Sequence, residues 1–270
     1  MLLRSGTGHD FSQYKASTIS RRIERRMSQH DIDDPEVYAR HLKQNPAEVQ
    51  TLFREMLINV TSFFRDPQAF AVLGTEALQS LLAAKSNGDS FRVWVAGCAS
   101  GEEAYSIAIL LRELVGQLDL DLRIQIYSTD LDDEAIAAAR TGLYPQNIEQ
   151  DLTPERLQRY FQREGAGYRV KKEIRDMVVF AVQSVTRDPP FTRLDLLVCR
   201  NLMIYLLPEL QDRLIQMFHY ALNPGGVLML SPSESVGGHA ESFEPINRRW
   251  KIYRSLATFS RPLSVPESGL

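Results

Sequence analysis

Apolar positions between residues 9 and 85 recur at helical spacing, without the alternation expected of strands. Over 14–27, Ile19, Ile23 and Met27 share one face at about 100° per residue, and Arg21, Arg22, Arg25 and Arg26 occupy another, which predicts a basic amphipathic helix. Further helices are predicted over 34–44, opened by D-D-P, over 46–57 and over 67–84. The stretch N-V-T-S-F-F-R-D-P at 59–67 interrupts the last two, and S-N-G-D at 86–89 reads as a turn.

Beyond residue 91 the pattern changes to alternating strands and helices. Strands are predicted at 92–95, 123–129, 177–183, 194–199, 227–230 and 250–254, with helices at 102–115, 133–141 and 208–222. Residues 142–176 form an insertion, with a helix over 154–163 and short strands around 167–170. The expectation is an α/β fold, a mostly parallel sheet covered by helices, preceded by an all-α region. The predicted division is 1–85 helical, 86–255 α/β with 142–176 as an inserted β-subdomain, and 256–270 a disordered tail or linker rich in Pro and Ser.

Composition narrows this little. The 270 residues are 44% apolar and 24% charged, ordinary for a globular chain, and a net charge of −3 gives no global attraction to nucleic acid or anionic membrane. No apolar run approaches the roughly 20 residues of a membrane span, and M-L-L-R lacks the apolar segment of a signal peptide, so a cytoplasmic protein without membrane insertion is expected. Cys98 and Cys199 have no ligand spacing and the five histidines are scattered, so no metal site is expected and both thiols should be packed and reduced near the cleft.

Chemistry concentrates in V-W-V-A-G-C-A-S-G-E-E-A-Y, residues 93–105, where a buried strand passes through small residues into a helix. Small residues let a ligand approach the backbone, and an acidic pair at a helix start suits a cationic group. The turn is neither GxGxxG nor GxxxxGK[ST], which counts against dinucleotides and triphosphates. Asp130 ends the second strand, where open α/β sheets place an acid on ribose hydroxyls. Each feature alone is equally a turn or a cap; together they favour an adenosine ligand without a phosphate requirement. S-adenosylmethionine fits, with Glu102 or Glu103 toward its ammonium group.

N-V-T-S-F-F-R-D (59–66), A-S-G-E-E-A-Y-S (99–106), S-T-D-L-D (128–132), C-R-N-L-M-I-Y (199–205) and L-N-P-G-G-V-L (222–228) stand in order along the chain. In these motifs the chain resembles the CheR family of chemotaxis-receptor methyltransferases over roughly residues 9 to 255. The start, G-H-D-F-S-Q-Y-K with S-R-R-I-E-R-R-M, looks most like CheR domains of CheB/CheR fusion proteins. The resemblance implies a Rossmann-like S-adenosylmethionine-dependent methyltransferase domain, releasing S-adenosylhomocysteine. It also implies a glutamate acceptor on the cytoplasmic helices of a chemoreceptor or related signalling protein, with fused signalling domains possible.

Carried over by motif, Asn59, Thr61 and Arg65 line the cofactor and acceptor site, Glu103 takes the methionyl end and Asp130 the ribose. Asn201 and Leu202 flank the cofactor, and Tyr205 sits at the transferring methyl. Ser184-Val185 stands where relatives commonly have Asn-Leu, which keeps a backbone contact and loses an amide one; Ala104 replaces a common Pro. Physically, Arg65 would hold one carboxylate oxygen of the acceptor while Tyr205 aligns the reacting groups; a helix-capping Arg65 and a core Tyr205 are the plainer alternatives. Arg21, Arg22, Arg25 and Arg26 form either a solvated face or a docking surface for an acidic helical target.

Two other functions stay open. Asp188-Pro189-Pro190-Phe191 mimics the signature of amino-group methylating enzymes, but precedes the strand at 194–199 where theirs follows it, so it reads as a turn. A noncatalytic module that senses S-adenosylmethionine or S-adenosylhomocysteine and docks a receptor is the other.

Overall fold

A computed structural model describes residues 2–57 and 60–257. Four helices open it: α1 (Leu2–Thr7), α2 (Ala16–Gln29), α3 (Pro35–Gln44) and α4 (Pro46–Met56). Asp34 caps α3 by accepting from Glu36 N at 2.8 Å, and proline stands at the first turn of α3 and α4, where its missing N–H costs nothing. These helices enclose their own small core around Phe11, Met27, Tyr38, Leu52 and Phe53. The first helix is an addition to the expected set.

The next helical stretch, α5 (Pro67–Val72), a π turn (Leu73–Leu78) and α6 (Gln79–Ala83), was grouped by periodicity with the helices before it. Its buried side chains Phe70, Leu73, Ala77, Leu78 and Leu82 instead join the core of the sheet, beside Phe91, Val93 and Val95. A helical pattern says that one face is buried and not against what; here the partner is the sheet and the helix α7 (Glu102–Gln117).

The large sheet runs β6-β2-β1-β7-β8-β10-β9, from β1 (Ser90–Ala96), β2 (Arg123–Asp130), β6 (Val178–Val182), β7 (Leu194–Cys199), β8 (Leu222–Leu230), β9 (Phe243–Asn247) and β10 (Ile252–Ser255). Strands β6 to β8 in that row pair in parallel, and β10 and β9 close the edge antiparallel. Side chains alternate between two cores: Val93 and Val95 of β1 face one, Trp94 and Ala96 the other, and β8 splits Val227 and Met229 from Leu228 and Leu230 in the same way. Each fully buried branched side chain of this kind contributes roughly 1.5–3 kcal/mol. The first core is covered by α5, α6, α7 and α8 (Asp133–Thr141), the second by the helix Pro208–Ala221.

Strand β9 is absent from the sequence expectation because Pro245 breaks its pattern, and proline is tolerated there only because β9 is an edge. The strand expected at 227–230 begins at Leu222, and N-P-G-G bulges out within it, where Gly225 turns left-handed (φ 81°) and the register against Leu194–Leu196 shifts. The insertion forms a three-stranded antiparallel sheet, β3 (Leu143–Pro145), β5 (Gly167–Val170) and β4 (Phe161–Glu164) in the order β3-β5-β4. The helix expected over 154–163 stops at Tyr160, and Phe161 turns inward at the start of β4. The tail expected over 256–270 lies almost wholly outside the described residues.

Candidate active site

The chain order of the parallel strands reverses between β1 and β7, where the strand ends splay and leave a crevice. After β1 the backbone turns left-handed three times, at Gly97 (φ 75°), Ala99 (φ 46°) and Gly101 (φ 95°), before α7 begins. Glycine suits position 97 because its φ is left-handed, and a Cβ there would also press on the Leu202 side chain 2.5 Å away. Asp130, at the end of β2, ties this turn down: Ala99 N donates to Oδ2 (2.8 Å) and Asp132 N to Oδ1 (3.0 Å). Each oxygen can accept again, as binding a diol requires, and burial pushes the carboxyl above its ordinary value.

Of the two glutamates that open α7, Glu102 accepts from Ser100 Oγ (2.8 Å) and only Glu103 lines the crevice. Glu103 is 8% exposed, and its Oε2 accepts from Arg200 Nη1 at 2.8 Å. Burial drives its pKa up; Arg200 opposes this, and the charge of Glu234 adds to it. Arg200 is also bonded to Asp66 Oδ2 (2.5 Å) and to the Arg65 carbonyl (3.1 Å), so one buried guanidinium joins the β7 turn, the α7 start and the segment before α5.

That segment brings Thr61 and Arg65 to the crevice from the opposite side. Two aromatic anchors hold it. Phe63 meets Tyr144 and Phe161 of the insertion edge-on at 4.9 and 5.2 Å, and Phe64 N donates to Ser106 Oγ at 2.9 Å under the Arg156 guanidinium. Phe64 (φ 48°) and Asp66 (φ 61°) are left-handed without being glycine, a strain of order 1–3 kcal/mol each that surrounding packing must offset. Arg65 Nη1 donates to the Val60 carbonyl at 2.8 Å and, among the described residues, to no carboxylate.

The turn after β7 supplies Asn201 (φ 59°), Leu202 and Tyr205. Glu234, in the loop after β8, pins it from below: its buried carboxylate accepts from Asn201 N (3.1 Å), Met203 N (2.8 Å), Ile204 N (3.3 Å) and Ser231 N (2.9 Å). From above, the strand-like segment before α2 grips the same turn, with Lys15 N donating to the Tyr205 carbonyl (2.8 Å) and Leu207 N to the Gln13 carbonyl (2.9 Å).

Thr61, Arg65, Glu103, Asp130, Ser184, Val185, Asn201, Leu202 and Tyr205 thus line one cleft. Asn59 lies outside the described residues. Arg200, Tyr14 and Gln183 line it too and went unread, although Arg200 stands inside the quoted C-R-N motif. Glu234 carried no sequence signal beyond a polar turn. The thiols of Cys98 and Cys199 are free and buried, and burial pushes both up; they sit packed just behind the wall, next to its residues Gly97, Ala99 and Arg200, as expected.

A correction concerns Arg26. It turns inward, donating to Glu48 through Nε (2.8 Å) and Nη2 (2.5 Å) and to Glu55 (3.3 Å), because α4 places both carboxylates beneath α2. It is therefore no part of an outward basic face. Arg21 and Arg25 are exposed, Arg22 is half-buried, and Arg25 lies 3.8 Å from Glu55.

The D-P-P-F segment is a structural turn. Asp188 accepts from Ser184 N (2.7 Å), Pro189 O from Gln183 (2.8 Å), and Phe191 stacks on Tyr127 at 4.3 Å; none of the four residues lines the cleft. As for the adenosine ligand, the wall fits it: a turn of small residues, an acid with open acceptor capacity at each end, and two buried polar atoms, Gln183 Oε1 and Arg200 Nε, without partners among the described residues.

Residues 1–57 match the CheR methyltransferase all-alpha domain, and residues 59–252 the CheR methyltransferase SAM binding domain. An uncharacterized 104.1 kDa protein of Rhodobacter capsulatus is 40% identical over 97% of this chain, which spans 27% of that protein. The putative methyltransferase Cher3 of Pseudomonas putida is 32% identical over 91% of both chains. The chemotaxis protein methyltransferase of Escherichia coli is 30% identical over 93% of this chain and 85% of its own. With both halves of the molecule matched and the cleft built between them, the chain belongs to the CheR methyltransferase family and is an S-adenosylmethionine-dependent methyltransferase.

Proposed function

We propose that this enzyme methylates glutamate carboxylates on the cytoplasmic helices of a chemoreceptor or a related signalling protein. The observation that carries the reading is Arg65, a guanidinium in the cleft wall whose side chain, among the described residues, bonds a carbonyl and no carboxylate, beside a wall that includes no His, Lys or Cys among those residues. Amines and hydroxyls must shed a proton during methylation. A glutamate, with an ordinary pKa near 4.3, is already the nucleophile and needs a cation to place it and no base to activate it.

S-adenosylmethionine supplies an electrophilic methyl group on its sulfonium. The chain's task is alignment: Asp130 and Glu103 fix the two ends of the donor, Arg65 takes one oxygen of the acceptor, and Tyr205 flanks the line of attack. Holding the reacting atoms at about 3–3.5 Å accounts for most of what such a displacement needs. The CheR relatives bearing the name chemotaxis protein methyltransferase support the receptor class, and the domain is proposed to act beside other signalling modules.

Labelled donor and a panel of receptor helix fragments test this. The expected product releases methanol in alkali, and Arg65→Ala lowers turnover on the order of 10²-fold while donor affinity stays within a few-fold. Alkali-stable label would mean an amine acceptor and would sink the proposal.

A further inference from the structure

Tyr14 belongs to the helical region in sequence and to the cleft in space. Its ring packs against the N-terminal core and also against the core under the helix Pro208–Ala221, and it lines the cleft with Asp130, Leu131 and Tyr205. The backbone holds it there. Tyr14 forms an antiparallel bridge with Leu206, flanked by the hydrogen bonds to Tyr205 and from Leu207, and its ring leans on Phe11 at 4.9 Å. Such a fixed, half-buried phenol has lost its rotamer freedom before any ligand arrives.

Its hydroxyl has no protein partner among the described residues. Tyr14 packs with Leu131, which follows β2, against the same core, and shares the cleft wall with the neighbouring Asp130, the acid whose two oxygens keep acceptor capacity. Burial and the Asp130 charge both push the phenol above its ordinary pKa, so it stays a neutral donor and acceptor beside that carboxylate. A neutral hydroxyl and a carboxylate facing one space suit a sugar bearing two hydroxyls.

We infer that Tyr14 is a donor-binding residue contributed by the helical region, its hydroxyl bonding the nucleoside end of S-adenosylmethionine opposite Asp130. The inference rests on the donor site described above and extends it across the boundary between the two family domains.

Calorimetric titration of the full chain with S-adenosylhomocysteine tests it. Tyr14→Phe keeps the ring packing and should weaken binding about 3- to 10-fold, the loss of one hydrogen bond, with the ligand-free unfolding temperature unchanged. Arg54→Ala serves as the control: it removes the 2.7 Å ion pair from α4 to Glu134 of α8, lines no part of the cleft, and should bind as wild type. Wild-type affinity in Tyr14→Phe, or equal weakening in Arg54→Ala, would overturn the assignment. Failure of the wild-type chain itself to bind would remove the donor site as a whole, and is thereby distinguishable.

Discussion

Two buried glutamates, each held by an arginine, lie in the two halves of this molecule and behave oppositely. Glu48 in the helical region accepts from Arg26 twice, from Tyr38 (2.8 Å) and from His30 (3.0 Å), and although burial pushes its carboxyl up, these bonds outweigh it and hold the pKa down to about 2. Glu103 in the cleft accepts from Arg200 alone among the described residues; burial prevails and its pKa rises. Both look alike in a count of buried ion pairs. A carboxylate saturated by its own protein is scaffold; one left short of donors, in a wall with left-handed Ala99 and Asn201, has capacity left for a ligand.

The comparison breaks most visibly at Glu48. Removing its charge leaves Arg26, only 13% exposed, with the longer Glu55 contact at 3.3 Å as its remaining ion pair, so Glu48→Gln should cost roughly 1–3 kcal/mol of stability, less than a buried pair broken outright. Donor affinity, measured with S-adenosylhomocysteine, should not change. The sign in pH follows from a folded value of about 2 against an ordinary 4.5. The unfolded chain binds the proton first, so this contribution is full above 4.5, erodes as pH falls, and is gone near 2. Chemical denaturation across that window should show the wild type losing stability more steeply than Glu48→Gln; parallel curves would mean that the carboxylate is not held as described.

Glu103 should give the converse result. Glu103→Gln is expected to weaken donor binding about tenfold, the size of one charge-assisted hydrogen bond. A cationic ligand needs the carboxylate ionised, and a raised pKa means that protonation sets in above the ordinary carboxylate range. Wild-type affinity should therefore decline as pH falls into mildly acid solution, and the Gln variant should decline less, keeping the part that comes from Asp130, whose carboxyl burial also raises. A pH-independent wild type would remove Glu103 from the ammonium end.

Local pattern and tertiary context divide what could be read in advance. The strands of the parallel sheet are legible because their runs are apolar and bounded by turns; seven residues of the wall are legible because short motifs carry them, and Ser184 and Val185 by their place after a strand. Glu234 is not, since it meets Asn201 from 33 residues away and nothing local marks it. Tyr14 was read as the start of an amphipathic helix, and its bridge to Leu206 is a contact between family domains. Arg26 was misread for the same reason: a helical wheel shows which residues share a face, and the Glu48 and Glu55 that draw one of them inward come from α4.

The smallest effect concerns the arginines left on α2. With Arg26 committed to Glu48 and Arg25 near Glu55, Arg21 and Arg22 are the cations available to an acidic helix approaching the cleft. Their attraction acts through water, so it is worth less than either buried pair and is screened within about 8–10 Å at physiological salt. The double change Arg21→Glu and Arg22→Glu should raise the acceptor KM a few-fold at low salt and by less as salt rises, with kcat and donor affinity unaffected. An acceptor KM that ignores both the charges and the salt would leave α2 a solvated face and move the docking surface elsewhere on the rim, where Val60 stands 70% exposed beside Thr61.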